Sequence, residues 1–363
     1  MNAYLGRLTF FRFIAAIIVV YFHFGQKVAP ATYGILREIA ASGPLAVSFF
    51  YCLSGFVLAT VYDRDDSSAA TFWIARFSRV YPVYLFCLVF GAMFAPFPAE
   101  ALVLDIFLLQ SWVPGYPSFI NAPAWSLSVE ALFYVAFPFM LRFFRQSSRA
   151  RIVYFASLVW IASQFATSYL FKYHFHGFET PSRDAIFYFP LMHLNEFVMG
   201  AVGALLYKDW HESKYITLVS IIAFAGSVLT AFCLLSLGKL AGWSVPLQNG
   251  LLAPIFVSGM WLVASMPKAI GDILSSRPLV MLGEASYALY LLQVPLAYWL
   301  PPHMMGIYGV HPVLYFYSYL AMLIAAALAI YLAIAKPARK HLKVRLSRIA
   351  LPLSQDAARE RFN

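Results

Sequence analysis

Thr9-Phe10-Phe11-Arg12-Phe13-Ile14-Ala15-Ala16-Ile17-Ile18-Val19-Val20-Tyr21-Phe22-His23-Phe24 is the stretch whose reading decides the fold. With Arg7 before it and Ala29-Pro30-Ala31 after it, it imitates a cleavable export signal. Arg12 argues against that. A charge in the middle of an apolar segment costs about 2.5–3.5 kcal/mol on insertion, and a disposable leader has no reason to carry one. The stretch therefore reads as an uncleaved first membrane span.

Working outward, the composition agrees. Of 363 residues, 62% are apolar and 12% charged, against roughly 25% charged in soluble domains, which argues against a water-soluble enzyme. A span needs about 20 apolar residues, and further runs of that kind fall near 45–62, 80–95, 125–141, 152–171, 186–207, 216–236, 250–266, 284–300 and 314–335. The expected fold is thus all-α, a polytopic membrane protein of about ten transmembrane helices. Ala101–Trp112 is short for a span and contains Asp105, so it reads as a re-entrant or interfacial piece. Residues 1–345 form one transmembrane domain and 346–363 a polar cytoplasmic tail; no internal repeat or linker divides the chain.

The net charge of +10 is resolved by where the charges lie. With ten spans and the N-terminus in the cytoplasm, twenty of the 26 Lys and Arg fall inside and five outside, Arg12 lying within the first span. Counting Ala101–Trp112 as a span would move the Arg142–Arg151 cluster outside. The bias supports both termini in the cytoplasm, and the basic residues read as a topology signal rather than a nucleic-acid surface. Cys52, Cys87 and Cys233 have no metal-ligand spacing and sit in apolar runs, so they read as packing residues and no metal site is expected.

Ionisable groups within spans are the functional candidates. Arg12 and His23 are eleven residues apart, which on a straight helix places them about 20° from a common line and about 16 Å apart. Arg12 is then near the cytoplasm and His23 near the outer leaflet. The plainer alternative is an interfacial histidine and an arginine held by a lipid phosphate. Glu130, five residues after Trp125 on a span entering from outside, matches His23 in depth, and the two read as a base with its orienting carboxylate; a helix-start carboxylate in a favourable dipole is the alternative. Arg76 and Arg79, one turn apart at a cytoplasmic mouth, suit phosphates, although positive-inside anchoring accounts for them equally. Glu196, with His193 and Asn195, is too deep to reach the interface; it either pairs with Arg12 or binds substrate. His174 and His176 lack further ligands for a metal.

At these residues the sequence resembles the acyltransferase 3 family of integral membrane acyltransferases. An R-x10-H opening is matched by Arg12 and His23, and an F-F-x-L-S-G-F element by Phe49 to Phe56 with one extra residue before Leu53. An R-x-x-R-[IV]-Y-P element is matched by Arg76 to Pro82, and W-S-L-[SA]-[VI]-E by Trp125 to Glu130. Glu196 with Gly200 resembles an E-x-x-x-G span, and Ser286 to Leu292, including Tyr290, an S-Y-x-x-Y-L-x-H ending. Gln293 stands where many members have histidine, and His193 where an arginine is common.

The resemblance implies transfer of an acyl group, usually acetyl, from cytoplasmic acyl-CoA to a hydroxyl of an extracytoplasmic or lipid-linked glycan. It implies a multi-pass protein of the bacterial inner membrane in contact with membrane lipid. Without a hydrolase-like extension after the last span, the chain resembles stand-alone members that modify exopolysaccharide, O-antigen or lipid-linked sugars, possible acceptors including an acidic polymer such as xanthan. In that frame His23, Glu130 and Arg12 are the catalytic candidates, Arg76 and Arg79 bind acetyl-CoA, and Trp125, Glu196 and Tyr290 are substrate-binding candidates. His23 acts either as a general base or as an acylated nucleophile. The rival reading is a transporter of an anionic or proton-coupled solute through the same polar residues.

Overall fold

The structure, a computed structural model, describes residues 3–342 apart from 66, 95, 179 and 301–310. The expected tail at 346–363 lies outside the described residues. Among those described there is no strand. The helices are α1 (Ala3–Val20), α2 (Gly34–Ala41), α3 (Gly43–Tyr62), α4 (Ala69–Ala92), α5 (Ala99–Ile106), α6 (Trp125–Gln146) and α7 (Arg149–His174). After these come α8 (Pro181–Phe187), α9 (Leu194–Trp210), α10 (Ile216–Leu240), α11 (Ala253–Ala264), α12 (Lys268–Leu274), α13 (Arg277–Trp299) and α14 (Pro312–Ile330). Two π-helical turns, Tyr21–Gly25 and Tyr331–Ala335, continue α1 and α14.

Among the described residues nine stretches are long and apolar enough to cross a membrane, and they coincide with nine of the ten expected spans. The tenth, expected at 250–266, has a different form: α11 and α12 meet at a bend of 109°. Pro267 causes the break, since it offers no N–H and disfavours helical backbone at Met266. Arg7 Nη1 caps the broken end, donating to Ala264 O at 2.8 Å and Met266 O at 2.7 Å. At 12 residues, α11 is about 18 Å long, shorter than the roughly 30 Å hydrocarbon layer. Its other end starts from a turn in which Asn249 and Gly250 take φ of 60° and 93°.

Side-chain contacts fix helix directions. Gly283 of α13 lies against Thr9 O of α1, and further along both helices His23 meets Gln293, so α1 and α13 run parallel. Tyr319 bonds Gln293 O and Arg339 pairs with Glu284, so α14 returns antiparallel to α13. The start of α1 and residues 336–342 therefore share one end of the bundle. Loops gathered there are cross-linked by basic side chains: Arg145 donates to Tyr62 O, Asp63 O and Asp65 O, and Lys208 pairs with Asp63.

Prolines inside helices leave carbonyls that other elements use. Pro138 frees Tyr134 O, which accepts from Trp73 Nε1 of α4 at 2.9 Å; Pro295 frees Leu291 O, which accepts from Asn121 Nδ2 at 2.9 Å. Small residues set the closest helix pair. A Cβ at Gly55 would sit 2.1 Å from Phe197 O, and one at Gly200 would sit 1.9 Å from Cys52 O, so α3 and α9 touch backbone to backbone. Cys52 and Cys87 are buried and Cys233 is exposed, all three as free thiols. Because backbone cannot move aside as a flexible side chain can, Gly200→Val is expected to cost about 3 kcal/mol or more. Detergent-extracted protein should then lose its monodisperse size-exclusion peak, whereas Gly226→Ala, facing open space on α10, should leave the peak unchanged.

The segment Ala101–Trp112 holds no helix long enough to cross a membrane. It forms α5, a turn with Leu108 at φ 57° and a short 3-10 helix, Gln110–Trp112. Asp105 at the end of α5 is buried and its Oδ2 has no hydrogen-bond partner among the described residues. Burial pushes its carboxyl up to about 7, against a smaller opposing effect of the Tyr84 hydroxyl. A raised folded value means the protonated form is the one that folding favours, so this site weakens the fold as pH rises from about 4 towards 7 and adds no further change above that. Asp105→Asn should raise the thermal unfolding midpoint in detergent at pH 8 and leave it nearly unchanged near pH 4; equal effects at both pH values would contradict this.

Candidate active site

α1, α3, α4, α6, α13 and the end of α14 enclose a cavity of about 1180 Å³, its open mouth included. The mouth is at the basic end of the bundle, where Lys336, Arg339, Glu284 and Tyr331 line it. Its far end reaches Ser126 and Tyr290, the latter six residues beyond Glu284 on α13 and therefore about 9 Å deeper. Arg12, Arg76 and Arg79 line the space between. Against these five cations the lining offers two carboxylates, Glu130 and Glu284, and Glu284 is engaged by Arg339 at 3.3 Å.

The arginines are held but not neutralised. Arg76 donates to Tyr62 Oη at 3.2 Å, and its guanidinium lies 5.6 Å and 5.7 Å from the centres of the Tyr62 and Phe72 rings. Arg12 and Arg79 make no hydrogen bond or ion pair with a described residue, and Nε of both Arg12 and Arg76 is buried without a partner. Unpaired guanidinium groups in a part-buried cleft are an anion site, and forked donors suit phosphate oxygens. Arg76 and Arg79 share one face because three residues make nearly one turn of α4, a helix that starts earlier than its apolar run, at a Ser68 cap whose Oγ accepts from Thr71 N.

Glu130 also lines this cavity, facing α3. Its Oε1 accepts from Ser54 Oγ at 3.2 Å and Tyr134 Oη at 2.5 Å. The expected pair with His23 is not formed. Equal depth does not fix azimuth: Glu130 turns towards Ser54, whereas His23 turns towards α13. His23 lies on the π-turn Tyr21–Gly25, which winds less per residue than an α-helix and shifts it from the straight-helix register with Arg12. The His23 ring is exposed and is not in the cavity lining; its Nδ1 lies 3.0 Å from Gln293 Oε1. Gln293 is one turn beyond Tyr290, so the histidine stands just past the far end of the cavity.

Of the remaining candidates, Tyr290 lines that far end and donates to Pro123 O or Ser126 Oγ, at 3.0 Å and 2.9 Å. Trp125 packs against Tyr188 at 4.5 Å between ring centres, the planes tilted by 31°, and lies 5.5 Å from the His193 ring. Glu196 is fully buried outside the lining. It does not meet Arg12; its Oε2 bonds His193 Nδ1 at 2.8 Å, and His193 Nε2 faces Phe187 O at 2.9 Å. Sequence reasoning grouped His193 with Glu196 without pairing them, although their i, i+3 spacing announces a pair on one helical face. It also missed Ser54, Glu284, Arg339 and Tyr134; only Tyr134, at i+4 from Glu130, carried a spacing signal. No group of three potential metal ligands occurs among the described residues.

A family model described as an acyltransferase domain matches residues 5–353. The chain therefore belongs to the acyltransferase 3 family, and it is a multi-pass membrane acyltransferase that works with an acyl donor. Acyltransferase MdmB of Streptomyces mycarofaciens is 31% identical over 323 residues, covering 79% of this chain and 77% of that protein. O-acetyltransferase OatA of Staphylococcus aureus is 23% identical over 294 residues, covering 73% of this chain and 47% of OatA. The putative peptidoglycan O-acetyltransferase YrhL of Bacillus subtilis is 27% identical over 297 residues, covering 73% of this chain and 46% of YrhL. The chain thus spans about half the length of the latter two relatives. No solved structure gives a significant match.

Proposed function

We propose that the protein is an O-acetyltransferase of the bacterial inner membrane that moves acetyl from cytoplasmic acetyl-CoA to a hydroxyl of an extracytoplasmic or lipid-linked glycan, in exopolysaccharide or other envelope modification. The observation that carries this is the cavity with unpaired arginines at one end of the bundle and a histidine just beyond its far end. The excess of Lys and Arg in the loops of the arginine end favours a cytoplasmic setting for it. There Arg76 and Arg79 grip the phosphates of the donor, while Arg12, deeper along α1, holds the bound donor further in. Glu130, fixed by Ser54 and Tyr134, stays a catalytic candidate on the donor side, as the carboxylate that offsets the three arginines.

In the transfer, His23 takes the proton of the acceptor hydroxyl as its oxygen attacks the thioester carbonyl carbon. The carbon–sulfur bond then breaks, and the departing thiolate recovers a proton, leaving an oxygen ester and free CoA. Trp125 and Tyr188, packed together at the opposite end from the mouth, offer aromatic surface to the sugar, and Tyr290 lines the donor cavity beside it. Buried Glu196 supports that wall through His193. The names of OatA and YrhL support an O-acetyl product, and that of YrhL a glycan acceptor. Family membership favours transfer over transport of a solute. The test is incubation of membranes carrying the protein with radiolabelled acetyl-CoA and isolated envelope glycans. Alkali-labile label on glycan is expected, and its absence, with the protein present and folded, would contradict the proposal.

A further inference from the structure

Gln293 is fully buried on α13, and every polar group of its side chain is engaged. Its Nε2 donates to Tyr290 O at 2.8 Å, and its Oε1 lies 3.0 Å from His23 Nδ1. A Tyr319 hydroxyl from α14 holds its backbone carbonyl at 2.8 Å. The amide orientation follows from chemistry. Reversing it would set the amide oxygen against Tyr290 O, two acceptors without a proton between them. With oxygen towards the histidine, Nδ1 must carry the hydrogen, because a carbonyl oxygen only accepts. The lone pair of the neutral ring is then on Nε2, the nitrogen that has no bond to a described residue.

We propose that Gln293 is a positioning residue that fixes His23 in the Nδ1–H tautomer and aims Nε2 as the reactive nitrogen. The inference rests on the acyltransfer reading and deepens it. It gives a neutral amide the orienting task that depth alone assigned to Glu130. A catalytic histidine needs its second nitrogen held so that the first presents the correct protonation state. Tyr290 joins the two halves: its carbonyl orients Gln293, and its side chain lines the donor cavity.

The test compares Gln293→Met, of similar length without an acceptor, with Gln293→Glu, whose protonated carboxyl reproduces both bonds. In purified protein Gln293→Met should lower kcat roughly 10–100-fold, below the 10²–10⁴-fold of the base itself, with KM for acetyl-CoA changed by less than about twofold, since the donor site is untouched. Gln293→Glu should recover most of kcat. A purely structural role would reduce folded protein and would not separate kcat from KM. Nitrogen-15 spectra of histidine-labelled wild type, with His23 assigned by its loss in His23→Ala, should show a protonated Nδ1. An Nε2–H tautomer, or full kcat in Gln293→Met alongside an inactive His23→Ala, would overturn the inference. Full activity in His23→Ala would instead overturn the base role on which it rests.

Discussion

Replacing His23 with alanine is expected to remove acyl transfer while leaving a folded protein in the membrane. A general base contributes about 10²–10⁴-fold to rate, so residual transfer should fall at least a hundredfold, by loss of kcat rather than of donor binding. The fold should tolerate the change. Among the described residues the His23 side chain makes one hydrogen bond, to Gln293, worth about 1 kcal/mol, and its exposed position lets water reach the amide oxygen left behind. The comparison is made on size-exclusion-purified protein with kcat and KM for acetyl-CoA measured together. Retained kcat would remove His23 from the chemistry.

The second large effect is expected at the arginines. Arg79 makes no hydrogen bond or ion pair with a described residue, so Arg79→Ala disturbs little structure and directly reports donor binding. A charge-assisted hydrogen bond is worth about 1.5–3 kcal/mol, which corresponds to roughly a 10–150-fold rise in KM for acetyl-CoA. Removing Arg76 as well should raise KM further but by less than the product of the two, because both act on one ligand. Arg76 also stacks on Tyr62 and Phe72, so the double variant mixes lost binding with lost packing. Arg79→Lys should recover part of the affinity as a point charge without the fork. An unchanged KM in Arg79→Ala and in the double variant would place the donor elsewhere.

Apolar run length made nine spans legible because the bilayer imposes the same length on each. It found the apolar run at 250–266 but not its bend, because hydropathy does not register where Pro267 breaks the helix or that Arg7 caps the break. Matching depth brought His23 and Glu130 together on paper, but depth leaves rotation about each helix undetermined, and the π-turn at Tyr21–Gly25 has no mark in the apolar pattern. The same blindness hid Gln293. Its role depends on two helices crossing at one point, 270 residues apart in the chain. The two arginines of α4 needed only three-residue spacing to share a face, and the structure places both in the cavity.

The central claim is that donor and acceptor meet the protein from opposite faces of the membrane. Proteoliposomes of defined orientation, with acceptor glycan enclosed on the His23 side and radiolabelled acetyl-CoA supplied only on the side of Arg76 and Arg79, test it directly. Label should accumulate on the enclosed glycan in the wild type and not in His23→Ala. Label that reaches glycan only when acceptor and acetyl-CoA share one face would contradict it.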